Sequence, residues 1–177
     1  MKKFISIVLI ILVFLLIFLL QSNFFEWFTI AGVKPNLLVI LVLFIGLYAG
    51  RKVGAFVGFT LGMILDCFIN KTIGISAIMF LAIGFLGGYF DKNFDKEIKV
   101  TIILMVIGST CIYEIGKYIF DIFTNNIMVE IGGFAKILCI EVLYNSIITI
   151  IFYPLLKKGG YYLENSFKTK QVLTRYF

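Results

Sequence analysis

Six hydrophobic stretches, separated by short polar breaks, run through the chain at about residues 4–20, 36–50, 53–69, 73–90, 100–120 and 134–156. A soluble domain needs a polar face on most of its helices, and these stretches have little to supply one. The environment that suits them is lipid, where backbone groups must be satisfied within the chain, so each stretch is expected to be a helix. At ~1.5 Å per residue each crosses or nearly crosses a hydrocarbon core of ~30 Å. The second is the shortest. Lys2 and Lys3 precede the first stretch, and no small-x-small cleavage site follows it, so it reads as an uncleaved signal anchor. The expected fold is an all-α membrane protein, with a six-helix transmembrane domain over residues 1–157 and a basic cytoplasmic tail over 158–177.

Charge orients the bundle. With the N-terminus inside, the inner segments hold twelve of the 16 Lys and Arg residues: Lys2, Lys3, Arg51, Lys52, Lys92, Lys96, Lys99, Lys157, Lys158, Lys168, Lys170 and Arg175. The outer segments hold two, Lys34 and Lys71, while Lys117 and Lys136 lie inside predicted helices near their outer ends. That asymmetry places both termini of a multi-pass protein in the cytoplasm. A five-span arrangement would put the basic tail outside.

Composition narrows the chemistry. Of 177 residues, 61% are hydrophobic and 15% charged, and the net charge is +6. The positive charges lie in short loops and the tail, which argues against nucleic acid as a partner. Histidine is absent, which removes the commonest general base and metal ligand. Cys67, Cys111 and Cys139 stand singly inside hydrophobic stretches and read as membrane thiols. There is no CxxC and no P-loop, and the glycine-rich run Gly84–Gly88 falls inside a span. The sequence gives no catalytic residue, cofactor or metal site, so the protein is expected not to be an enzyme.

Three features carry specific expectations. Glycines recur every four residues at Gly46, Gly50, Gly54, Gly58 and Gly62, and the device repeats at Gly84 and Gly88. Small residues at this spacing let helix backbones approach closely, either within the chain or between copies. Within or near the spans lie the polar residues Asp66, Glu114, Lys117, Lys136, Glu141 and Asn145, most of them in the outer half. Such groups are costly in a membrane. They line a cavity open to the outside, or they form internal pairs that lock the bundle. Glu114 with Lys117, and Glu141 with Asn145, are spaced to meet on one helix face. Asp66 continues the glycine face into the bundle, with Lys117, Lys136 and Asn145 as its nearest partners by depth. Finally, Phe24, Phe25, Trp27 and Phe28 form an aromatic cluster in the first outer segment, as an interfacial belt or a docking surface.

One run of residues resembles a known family. It begins at Lys34-Pro35-Asn36-Leu37-Leu38 and continues through Arg51-Lys52-Val53-Gly54 and Gly58-Phe59. Gly62-Met63-Ile64-Leu65-Asp66-Cys67-Phe68, Ile73-Gly74-Ile75 and Ile83-Gly84-Phe85-Leu86-Gly87 complete it. This resembles the bacterial rod shape-determining MreD family, by motif over about residues 34–88 and by length and span layout over the whole chain. Pro35, Asn36, Leu37, Arg51, Gly54, Asp66 and Gly74 are the positions that carry the match. The resemblance implies an inner-membrane, non-enzymatic component of the cell-elongation machinery. Its implied partners are MreC and, through it, MreB, RodA and a penicillin-binding transpeptidase that builds lateral peptidoglycan. The family is also similar in layout to the substrate-binding subunits of energy-coupling-factor vitamin transporters, so a small-molecule binding subunit is the alternative. The first span lacks the small-x-x-x-small pattern with which those subunits meet their coupling partner.

The charge pattern makes a topological prediction. On a cysteine-free background, an impermeant thiol reagent applied to intact cells should modify Thr124→Cys and spare Asn93→Cys and Thr169→Cys. Labelling of Thr169→Cys would end the six-span arrangement.

Overall fold

The computed structural model describes every residue except Met1, Glu26, 69–73, Phe94, Asp95, Glu97, 126–129 and 169–177. Lys71, Thr169, Lys170 and Arg175, which entered the orientation argument, therefore lie outside the described residues. Six α-helices account for most of the rest: α1 (Lys2–Leu19), α2 (Leu37–Ala49), α3 (Arg51–Phe68), α4 (Ile75–Asn93), α5 (Lys99–Asn125) and α6 (Ile131–Phe167). A π-helical turn, Leu20–Phe24, extends α1. No strand occurs among the described residues; Ile30 and Val33 form an isolated bridge. Three of the helical segments, Lys3–Phe24, Lys99–Thr124 and Ile131–Phe167, are long and apolar enough to cross a membrane. Leu37–Ala49 and Ile75–Asp91 are apolar but shorter.

Helix α2 is the axis of the molecule. It has 13 residues, and all of them are buried. It touches every other helix. Its sequence, LLVILVLFIGLYA, is apolar all round, which is the pattern of a helix enclosed by others. At its start the Asn36 side chain accepts from the Val39 N–H at 3.4 Å. At its end Gly50 takes φ +95°, which an L side chain rarely adopts, and α3 starts at the next residue. A single residue thus reverses the chain, and α2 and α3 leave it side by side.

The glycines set how closely α3, α4 and α2 approach. A Cβ on Gly54 would overlap Gly46 Cα, and one on Gly58 would overlap the Phe80 carbonyl. One on Gly62 would come within 2.5 Å of Ala77 Cα, and one on Gly84 would strike the Gly54 carbonyl. Gly88 faces the Arg51 backbone in the same way. Backbone therefore lies directly on backbone along the α3–α4 seam, which is the most extensive helix pair in the molecule.

Helix α6 departs from the sequence expectation. A span ending at Leu156 was expected to give way to a tail, with Pro154 at the edge. Instead α6 runs 37 residues to Phe167 with Pro154 inside it. Contacts beyond the proline hold the continuation: Gly160 lies against the Tyr48 ring, and Leu163 and Ser166 are buried. Helix α1 is the opposite of α2. Ser6, Ile10 and Phe14 are buried, while Phe4, Leu12, Leu16 and Leu19 on its other faces are exposed.

The close seam predicts unequal glycine substitutions. Gly58→Ala should lower the melting temperature of the purified protein, since overpacking against backbone costs roughly 1–3 kcal/mol. Gly159→Ala has nothing within 4 Å of the new Cβ and should leave it unchanged or slightly raised. Equal melting of both variants would refute the packing account.

Candidate functional site

Two polar sites lie at opposite ends of the bundle. The first is a cavity of about 330 Å³ at the end where α2 begins. Its walls come from the π-turn after α1, the loop into α2, α5 and α6. Gln21, Lys34, Pro35, Asn36, Glu114, Lys117 and Glu141 line it, with the turn Ala31–Val33 at one side. That turn closes by paired hydrogen bonds, Ile30 N–H to Val33 O at 3.1 Å and Val33 N–H to Ile30 O at 2.9 Å. Its two central residues, Ala31 and Gly32, both have positive φ, which produces the tight reversal.

Asn145 lies beneath the cavity and fixes its floor. It is fully buried, and its Oδ1 accepts from the Asn36 N–H at 2.8 Å. Its Nδ2 donates to Thr110 Oγ1 at 3.0 Å. One amide side chain therefore joins the start of α2 to both α5 and α6. Glu141, one helical turn before it, is 5% exposed, and its Oε1 has no hydrogen-bond partner among the described residues. Gln21 Oε1 across the cavity is likewise buried and unpartnered. Buried acceptors are normally satisfied, so two in one cavity are unusual.

The polar residues picked out in the sequence are distributed unequally. Glu114, Lys117 and Glu141 come together at the cavity, and Asn145 supports it. Lys136 is exposed on α6 and does not line it. Asp66 is elsewhere, against the backbone at the start of α4. It is 1% exposed, and its Oδ2 accepts from the Gly74 N–H at 2.8 Å and the Ala77 N–H at 3.3 Å. The carboxylate therefore caps the start of α4, where unsatisfied N–H groups and the helix dipole favour negative charge. Gly74 supports this with φ +104°.

Other functional contacts had weaker signals. Tyr144 donates to the Phe28 carbonyl at 2.7 Å and so ties the aromatic segment to α6. In that segment Phe24 and Phe28 stack at 4.9 Å, and Trp27 is 89% exposed. Ser76 and Tyr113 hydroxyls meet at 3.3 Å between α4 and α5.

The second site is an ionic cluster at the end where α4 and α6 finish. Lys96 pairs with Asp91 at 2.8 Å and Glu164 at 2.6 Å. Lys168 pairs with Asp91 at 2.6 Å and Glu164 at 3.3 Å. Lys96 also lies over the Tyr48 ring, 5.0 Å from its centroid. In the sequence Lys96 and Lys168 stand out only as inner positive charge. The four-residue spacing of Glu164 and Lys168 was the available signal. Nearby, Arg51 sits over the Tyr89 ring at 4.8 Å. Burial alone would raise the Asp91 carboxyl, but hydrogen bonds and charge from Lys168 and Lys96 outweigh it and hold the group below its ordinary value. Burial would lower Lys96, but Asp91 and Glu164 outweigh it and hold the ammonium above its ordinary value.

Comparison with known proteins bears on both sites. The family described as rod shape-determining protein MreD matches residues 1–159. No curated protein and no solved structure matches the chain. The matched span includes the whole cavity and stops before Glu164 and Lys168.

The ionic cluster predicts a pH window. Asp91, lowered in the fold, stabilises fully above its unfolded value of about 3.9 and loses that contribution as pH falls through its lower folded value. Lys96, raised in the fold, stabilises fully below its unfolded value of about 10.4 and loses that contribution as pH rises through its higher folded value. Asp91→Asn should therefore melt below the wild type at pH 7, and the gap should narrow as the medium becomes strongly acid. A gap that is the same at both pH values would refute the pairing.

Proposed function

Because the chain belongs to the rod shape-determining protein MreD family over residues 1–159, we propose that it is a non-enzymatic membrane scaffold of bacterial cell elongation. It couples MreC and, through it, the MreB cytoskeleton to lateral peptidoglycan synthesis by RodA and a penicillin-binding transpeptidase. The family match is the observation that carries this reading. The positive-inside distribution of Lys and Arg supports six spans in the cytoplasmic membrane with both termini inside. The six helices are read as those spans, in a layout resembling the substrate-binding subunits of energy-coupling-factor transporters. On this reading the cavity faces outward, the ionic cluster faces the cytoplasm, and Trp27 and its aromatic neighbours form the outer interfacial belt. The exposed apolar faces of α1, α5 and α6 support contact with lipid and with partner helices. No chemical step is assigned to the chain.

The cavity favours one second reading. A volume of about 330 Å³ is of the size of small-ligand sites, so the chain could serve as a small-molecule binding subunit of a vitamin transporter. Gentle detergent extraction of the tagged chain from its own cells separates the two. MreC should copurify, and depletion of the chain should turn rods into spheres that the wild type restores. Copurification of ATPase subunits without MreC, with cell shape unchanged on depletion, would replace the scaffold by the transporter reading.

A further inference from the structure

The cavity carries more than its shape. Glu141 is almost wholly buried, lines the cavity, and has an Oε1 without a hydrogen-bond partner among the described residues. Gln21 adds a second unpartnered acceptor from a different element. Both ask for donors. A hydroxyl offers one proton to share, whereas a primary ammonium offers three, enough for both oxygens. The same lining holds two ammonium groups, Lys34 and Lys117. A ligand with one positive and one negative group meets both the open acceptors and the ammoniums.

We propose that this cavity binds a small zwitterion, with a primary ammonium held by Glu141 and Gln21 and, a short linker away, an anionic group held by Lys34 and Lys117. The inference stands on the cavity's geometry and does not depend on the scaffold reading. The volume of about 330 Å³ suits a group the size of phosphoethanolamine or an amino acid. Two sources present this chemistry: a free solute entering from the outer face, and the headgroup of phosphatidylethanolamine in the surrounding leaflet.

Thermal unfolding of the full chain, purified in maltoside detergent, tests this directly. O-phosphoethanolamine at millimolar concentration, or phosphatidylethanolamine added to the micelles, should raise the melting temperature by on the order of 5 °C. Phosphocholine and phosphatidylcholine have no N–H to donate and should give no rise. Neither should ethanolamine or phosphate alone match the joined zwitterion. A rise with the soluble probe assigns a solute site; a rise with the lipid alone assigns a headgroup site. Glu141→Gln should abolish the response, and its own unfolding curve without probe shows whether it folds. Lys34→Gln, on the loop before α2, gives a second variant that should weaken it at least tenfold in the concentration required. Lys136→Gln, outside the lining, should respond like the wild type. If neither probe shifts the wild type, water satisfies the two acceptors and the proposal fails. It also fails if phosphocholine acts as well as phosphoethanolamine, or if Glu141→Gln folds and still responds.

Discussion

The rest of the structure depends on the enclosure of a short helix. Helix α2 has 13 residues, a length of ~20 Å, against the ~30 Å of a hydrocarbon core. A helix that stops short leaves its end groups at membrane depth, where no lipid can pair with them. The chain meets this by surrounding α2 completely and supplying partners from its neighbours. At one end Asn145 receives the Asn36 N–H, and at the other Gly50 turns the chain straight into α3. The polar residues around Asn36 are therefore a consequence of where α2 ends. The short helix leaves space beyond its first residue, and Lys34, Glu114, Lys117 and Glu141 occupy its walls.

The two ends of the bundle solve the problem of buried charge differently. In the ionic cluster each carboxylate meets two ammoniums and each ammonium two carboxylates, so Asp91, Lys96, Glu164 and Lys168 close upon themselves. That closure draws α6 past Pro154, because Glu164 and Lys168 reach the end of α4 only if the helix continues. At the cavity the charges do not close in the same way, and acceptors on Glu141 and Gln21 remain open. A closed network is a structural element; an open one has capacity left for something else.

Much of this was legible in the chain, for reasons that differ by element. The six helices could be read because apolar runs of this length have few alternatives. The glycine seam could be read because Gly54, Gly58 and Gly62 keep to one helix face. Glu114, Lys117 and Glu141 could be placed together because topology and depth alone put them at one end. Asp66 shows the limit: its depth pointed to lysines, while its contacts with backbone N–H groups at the start of α4 carry no side-chain signature. The length of α6 was hidden because Gly159 and Gly160 usually end helices, and only the contact of Gly160 with Tyr48 makes a glycine useful there. Lys34 and Gln21 were not singled out as cavity residues because loop side chains have no periodicity to follow.

The positions that carried the family resemblance have physical roles here. Asn36 caps α2, Gly54 admits the α2 and α4 backbones, and Arg51 sits on the Tyr89 ring. Asp66 and Gly74 together start α4. All of these build the α2–α3–α4 core, and none of them except Pro35 and Asn36 borders the cavity. The motif thus describes how the core is closed rather than what the cavity holds. The cavity's chemistry is set mainly by α5, α6 and the segment before α2, which pack around that core with fewer backbone-to-backbone contacts. A fold arranged in this way can alter its cavity while the glycine-packed core stays fixed.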